Sequence, residues 1–173
     1  VALSFGVTPD LITMAKALTN GAQPMGAVAV RDDVYRTIIE AAPEGLPEFF
    51  HGYTYSAHPA ACAAGLATLD IYRKEQLFAK GRDLSGYFLD EMFALGDLPA
   101  VADVRGFGML AGVEVKPGKA AGVRGNELQA KLYDRGLHVK TTGDVAILAP
   151  AFIATQADID AMAGMLREAI AEF

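Results

Sequence analysis

The chain is predicted to be α/β, with a smaller α+β part following a first part that ends near residue 75. Three observations predict this. Short apolar runs of strand length alternate with longer stretches whose apolar residues recur at helical spacing. Apolar residues are 52% of the 173, ample for a sizeable core. Finally, a long alanine-rich stretch closes on Arg73-Lys74-Glu75. The pattern beyond it is that of a small domain, so the chain divides into residues 1–75 and 76–173.

In the first part, residues 1–6 read as a strand remnant or loop. Pro9 fixes its own φ and biases Thr8 away from helix, which makes Thr8-Pro9-Asp10 a turn. Leu11–Ala15, LITMA, is short and apolar, as a buried strand is. Thr19-Asn20-Gly21 signals a loop, and residues 25–30, MGAVAV, read as a second buried strand. A helix of about ten residues begins at Arg31-Asp32-Asp33, with Val34, Ile38 and Ile39 on one face. Residues 42–50, APEGLPEFF, are a Pro/Gly-punctuated excursion whose two terminal Phe imply packing against something. Residues 51–56 lead into a long helix. Pro59 suits its first turn, where a missing N–H is harmless. Its alanines permit close approach to neighbours, and Leu66, Leu69 and Tyr72 are expected to face inward.

In the second part, residues 77–95 read as an amphipathic helix with Leu84, Phe88 and Met92 at helical spacing, ended by Gly96-Asp97-Leu98-Pro99. Residues 101–115 read as two strands about Gly106, with Met109, Ala111, Val113 and Val115 on one face by alternation. Lys116-Pro117-Gly118-Lys119 is a turn. Residues 126–135 form a helix closed by Gly136. Residues 137–139 and 145–148 are expected to pair as strands around Thr141-Thr142-Gly143-Asp144. Thr155 and Asp158 have the spacing of a capping box, although the box prefers Glu or Gln. A last helix runs to about residue 172, with Ile159, Met162, Leu166 and Ile170 apolar.

Several classes are excluded by composition. A net charge of −6, from 15 basic and 21 acidic residues, argues against a nucleic-acid surface. No apolar run reaches the roughly 18 residues that span a bilayer. No signal peptide opens the chain, so a cytoplasmic location is expected. Cys62 has no second cysteine to pair with, which suits a reducing compartment. The chain starts at Val1 without an initiator methionine, and VALSFGVTPD reads as mid-domain sequence. His51, His58 and His138 show no metal-ligand spacing, so no metal site is expected. Gly106 and Gly108 lack the third glycine of a dinucleotide fingerprint and are read as permitting a bend between strands. Arg105 could bind a carboxylate, but a structural ion pair is the preferred reading.

Lys16 is the first candidate for chemistry. It follows the apolar run LITMA and precedes a Gly/Asn/Pro-rich segment and a second apolar run. A free lysine has a pKa of about 10.4 and is a poor nucleophile at neutral pH. Burial beside apolar groups disfavours its charged form and activates it for Schiff-base chemistry. From spacing alone the commoner reading is a lysine snorkelling from a strand end to solvent.

Four blocks, in order, resemble class-III pyridoxal-phosphate-dependent aminotransferases, and within them the omega-amino acid:pyruvate group. They are TPDLITMAKALTNGAQPMGAVAV, HGYTYSAHPAACAAGLATLDIY, VRGFGMLAGVEV and GLHVKTTGDVAILAPAF. The segment TYSAHP favours that group over ornithine-type aminotransferases and glutamate-semialdehyde aminomutases, which stay as alternatives within the family. The resemblance implies a fold-type-I transferase, with residues 1–75 the end of the large cofactor-binding domain and 76–173 the small C-terminal α+β domain. It implies that Lys16 forms the internal aldimine with pyridoxal 5′-phosphate and later shuttles the substrate proton. Thr54 matches a phosphate-binding threonine that reaches the neighbouring subunit's cofactor, so a homodimer or larger assembly is expected. Tyr53 matches an aromatic position whose backbone N–H points to the same phosphate. Tyr55 and Ser56 are read as structural members of that motif.

Lys140 stands where the family often has an arginine that grips the substrate carboxylate. Lysine keeps the charge but loses the two-pronged fork. It is expected to make a weaker, single-point contact, or the carboxylate is gripped elsewhere; the plainer reading is an exposed strand lysine. The residues 42–50 region matches one that borders the substrate entrance. The implied substrates are an amine or omega-amino acid donor and a keto-acid acceptor, pyruvate first, in a ping-pong reaction. The acid for the pyridine nitrogen, the ring-stacking aromatic and most of the phosphate cup are implied to lie outside these residues. The competing readings are a non-catalytic fragment and a binding or scaffold protein with Lys16 idle, since fold does not guarantee function.

Overall fold

The computed structural model describes residues 5–47, 49 and 52–173. Expectations for residues 1–4, Glu48, Phe50 and His51 lie outside them. The chain divides into two compact units, Val1–Glu75 and Gln76–Phe173.

The first unit opens with an antiparallel hairpin. β1 (Leu11–Ala15) pairs with β2 (Gly26–Val30), from Leu11 opposite Val30 to Ala15 opposite Gly26. Asp10 and Arg31 close its open end, where the Arg31 N–H donates to the Asp10 carbonyl at 2.9 Å and the guanidinium pairs with Asp10 and Asp33. Asn20 and Gly21, both at positive φ, turn the connecting loop. α1 (Asp32–Glu40) follows, then α2 (Pro59–Lys74).

Two expectations are corrected here. The strands are not buried: Leu11 is 56% and Val28 58% exposed. An apolar run on both faces needs a layer on each side, and among the described residues neither face of this hairpin is covered. Nor do Leu66 and Leu69 face inward, being 70% and 48% exposed. The inner face of α2 is Ala61, Gly65 and Thr68. Its small side chains let the helix backbone approach the hairpin loop so closely that a Cβ on Gly65 would sit 3.4 Å from Met25 Sδ and 3.6 Å from the Leu18 carbonyl oxygen. The leucines are left on the far side. On α1, Val34 and Ile39 are half-buried while Ile38 is exposed, as are Leu46 and Phe49 in the excursion that follows.

The second unit is a two-layer sandwich. α3 (Leu77–Phe93) runs into a short 3-10 turn, Ala94–Asp97. β3 (Val101–Phe107) and β4 (Leu110–Val115) form a hairpin whose two-residue turn has Gly108 at φ +59°, as a type II′ turn requires. α4 (Val123–Asp134), β5 (Lys140–Thr142), β6 (Val145–Leu148) and α5 (Gln156–Ala171) complete the unit. The sheet order is β3-β4-β6-β5, all antiparallel. The three helices cover one face, where Phe88, Met92, Leu128, Leu132, Ile159 and Leu166 pack on Val113, Val115, Ala146 and Leu148.

The alternation read for Ala111, Val113 and Val115 holds, and all three are buried, while Met109 sits half-buried in the turn. Gly106 serves packing rather than bending: a Cβ there would lie 2.5 Å from Leu89 Cδ2. Residues 137–139 are not a strand, because the Leu137 N–H returns to the Leu132 carbonyl at 2.9 Å and closes α4. Pairing begins at Lys140, and the turn is Gly143-Asp144 alone. The capping box at Thr155 and Asp158 is present in both directions. Among the described residues no helix is long and apolar enough to cross a membrane.

Asp144 ties this turn to α4. Its carboxylate accepts the N–H groups of Gly122 and Gly125, each at 3.0 Å. These bonds hold its pKa below the usual carboxylate value. A Cβ on Gly125 would fall 2.0 Å from the Gly143 carbonyl oxygen. Gly125→Ala is therefore expected to destabilise the protein by about 3 kcal/mol or more, and an unchanged thermal midpoint would contradict this packing. Asp158 is held low by the Thr155 N–H and hydroxyl, and Glu172 by Lys131 and Arg135. A carboxylate with a depressed folded pKa contributes stability above its unfolded value, and loses it as pH falls through the folded one. Stability should thus decline below about pH 4, and Asp144→Ala should flatten that limb in denaturant titrations across pH.

Candidate active site

Lys16 is the residue after β1, and its backbone leaves the strand in the left-handed conformation at φ +54°. That costs a non-glycine residue about 1–2 kcal/mol. The neighbouring backbone is anchored. The Thr19 N–H donates to the Lys16 carbonyl at 3.3 Å, and the Tyr72 hydroxyl donates to the Ala17 carbonyl at 2.9 Å. Thr19, only 2% exposed, donates its hydroxyl to the Gln23 carbonyl at 2.5 Å. The Lys16 side chain is exposed, and among the described residues its ammonium has no partner. The apolar burial expected to activate it is thus not supplied by the described residues.

Residues 53–56 form a turn closed twice. The Ser56 N–H donates to the Tyr53 carbonyl at 2.9 Å, and the Tyr53 N–H donates to Ser56 Oγ at 3.2 Å. Ala57 follows at φ +57°, the His58 N–H donates to the Tyr55 carbonyl at 3.1 Å, and the two rings meet edge-on at 6.1 Å. The N–H of Tyr53, expected to face a phosphate, is thus engaged by Ser56. Thr54 is exposed, and among the described residues its hydroxyl has no partner. A concavity of about 230 Å³ joins this turn to the hairpin, lined by Gly26, Tyr53, Tyr55, Ser56, His58 and Cys62 among others. Gly26 is the pairing partner of Ala15, so the end of the Lys16 strand and the Tyr53–Ser56 turn meet at one end of the hairpin. Cys62, expected in the core, is half-buried along this concavity.

Lys140 belongs to the second unit. It ends a row that crosses the sheet through Arg105, Gly112 and Ile147. Arg105 donates to Asp103 at 2.6 Å and to Glu114 at 2.8 Å, which is the structural ion pair expected of it. Both carboxylates raise its pKa above the usual value. Lys140 is exposed and, among the described residues, unpaired. Beside it the uncovered sheet face has a concavity of about 480 Å³ whose lining includes Arg105, Phe107, Leu110, Thr142 and Ile147.

The family model for class-III aminotransferases matches residues 2–170. The chain belongs to the class-III aminotransferase family. It is 47% identical over 169 residues to an omega-aminotransferase of Caulobacter vibrioides, covering 97% of this chain and 38% of the relative. It is 41% identical over 159 residues to an omega-amino acid–pyruvate aminotransferase of Pseudomonas putida, covering 91% and 35%. A solved thermostable (S)-enantioselective omega-transaminase from Thermomicrobium roseum superposes with a TM-score of 0.89 at 34% identity, over 99% of this chain and 39% of that one. The fold is that of fold-type-I transaminases. The chain thus spans less than half the length of the relatives it matches.

Class-III aminotransferases use pyridoxal phosphate, and the donor set here fits that group in part. An exposed, partnerless amine suits its aldehyde, and a partnerless hydroxyl on a turn beside a helix N-terminus suits its phosphate. Neither the Tyr72–Ala17 bond nor the left-handed Lys16 has a local sequence signal. The turn chemistry of Ser56 has one, since serine hydroxyls commonly bond nearby backbone in turns. Tyr72→Phe removes the hydroxyl bond beside Lys16 and is expected to lower stability by about 1 kcal/mol. Denaturant unfolding would show this as a lower midpoint, and an unmoved midpoint would mean the bond anchors nothing.

Proposed function

We propose that the protein is an omega-type aminotransferase that moves an amino group from an amine or omega-amino acid to a keto acid, pyruvate first, by a ping-pong reaction. The observation that carries this is Lys16. Among the described residues its amine is partnerless, at an anchored strand end, in a chain matched nearly end to end by the class-III family. Similarity to the Pseudomonas putida omega-amino acid–pyruvate aminotransferase supports the donor and acceptor classes. On this reading residues 1–75 are the end of the cofactor-binding domain and 76–173 the small domain. The enzyme is a cytoplasmic homodimer or larger assembly in which Thr54 serves the neighbouring site.

Pyridoxal phosphate, when bound, supplies an electron sink for the carbon that gains or loses the amino group. Lys16 Nζ would hold the cofactor covalently and, once released, take and return the proton at the substrate carbon. The Thr54 hydroxyl and Tyr53 N–H would grip the phosphate by charge-assisted hydrogen bonds. Lys140 would bind the substrate carboxylate at one point. Its lack of a partner among the described residues supports this, as does the engagement of Arg105, at the other end of the same row, by Asp103 and Glu114.

Activity is assigned to the longest natural form of the protein. The exposed hairpin favours a second reading for the 173 residues alone, that they are not catalytic without a cover for Leu11, Ile12 and Val28.

Initial rates against amine donor at several pyruvate concentrations should give parallel double-reciprocal lines, and Lys16→Ala should abolish turnover. Intersecting lines or an active Lys16→Ala protein would refute the reading. Lys140→Ala should raise the KM for pyruvate about tenfold with little change in kcat, as loss of a charged contact made equally in ground and transition states does. An unchanged KM would remove Lys140 from the site.

A further inference from the structure

We propose that Ser56 is a cofactor-binding residue, whose hydroxyl pre-forms the phosphate-gripping turn and then donates to the phosphate itself. The inference rests on the aminotransferase reading above. Tyr53, Thr54 and Tyr55 are all exposed, with the tyrosines 79% and 80% accessible. An uncovered segment of this kind has about 1–2 kcal/mol of backbone entropy per residue to lose when it binds. The backbone bond from Ser56 to Tyr53 is ordinary for a turn. The added constraint is the side chain, whose Oγ accepts the Tyr53 N–H. Two bonds in opposite directions between the same two residues fix both ends of the turn that carries Thr54.

The side-chain bond is also replaceable. At 3.2 Å it lies at the long end of the N–H···O range and joins neutral groups. A phosphate oxygen makes a shorter, charge-assisted bond to the same N–H. Ser56 Oγ therefore stands in for a phosphate oxygen before the phosphate arrives. A hydroxyl both donates and accepts, so on displacement it turns its own proton to the anion without rebuilding the backbone. On the other side the His58-to-Tyr55 bond holds the turn against α2, and Ser56 lines the concavity that reaches Gly26. Because the site is open to water, losing the hydroxyl leaves no buried polar group unsatisfied.

The test compares pyridoxal 5′-phosphate with pyridoxal, which lacks the phosphate, on the longest natural form of the protein stripped of cofactor. Ser56→Ala should weaken pyridoxal phosphate about fivefold, the worth of one ordinary hydrogen bond. It should leave pyridoxal affinity and the melting temperature unchanged, and Ser56→Thr should restore the lost affinity. If Ser56→Ala does not fold, Ser56→Cys keeps the size with a weak acceptor and should show the same phosphate-selective loss. Unaltered pyridoxal phosphate affinity, or equal weakening of both ligands, would overturn the role of Ser56 while leaving the enzyme reading intact. A native protein that binds the two ligands equally would instead show that no phosphate grip exists, and both readings would fall.

Discussion

Close approach between α2 and the loop after β1 is the constraint on which the candidate site depends. Gly65 brings the helix backbone against Leu18 and Met25, and Tyr72 reaches the Ala17 carbonyl. The Ala17 and Leu18 contacts fall immediately after Lys16, the residue that leaves β1 in the left-handed conformation. The same helix starts just beyond the Tyr53–Ser56 turn, so one element braces both the loop after Lys16 and the turn that carries Thr54. A bulkier inner face on α2 would hold the helix off and loosen both. That explains why alanine, glycine and threonine, rather than leucine, occupy it.

The second unit solves a different problem. Its sheet has one face packed under three helices and one face left open. The other face carries Arg105 and Lys140 at the two ends of one row, and its edge strand β5 is only Lys140–Thr142. Such a short strand needs its turn fixed, and Asp144 does this by joining the turn to the start of α4. Gly125 is required where that junction is tightest. Lys140 is thus placed by its strand pairing with Ile147 and by the fixed turn, and among the described residues by no side-chain bond of its own.

Much of this is legible in the sequence where one local rule governs. The alternation of Ala111, Val113 and Val115 has a single meaning once one face is covered, and the Thr155–Asp158 spacing caps a helix wherever it stands. The misreadings arise where a distant partner decides. Leu66 and Leu69 look like a core stripe, yet the helix packs through its smallest residues because closer backbone approach is available there. LITMA and MGAVAV read as buried strands because their composition suits two covered faces, and the described residues supply neither cover. The resemblance of the four blocks points to Lys16 and Thr54. No pattern in the sequence reveals the strained backbone of Lys16, or that Ser56 already occupies the N–H assigned to a phosphate.

The central claim is that Lys16, and no other lysine, is built to hold pyridoxal phosphate. Borohydride reduction of the longest natural form after incubation with the cofactor, followed by peptide mapping, tests it most directly. A single pyridoxyl group on the peptide containing Lys16 is the predicted result. Label scattered over surface lysines such as Lys74 and Lys116, or no label at all, would contradict it.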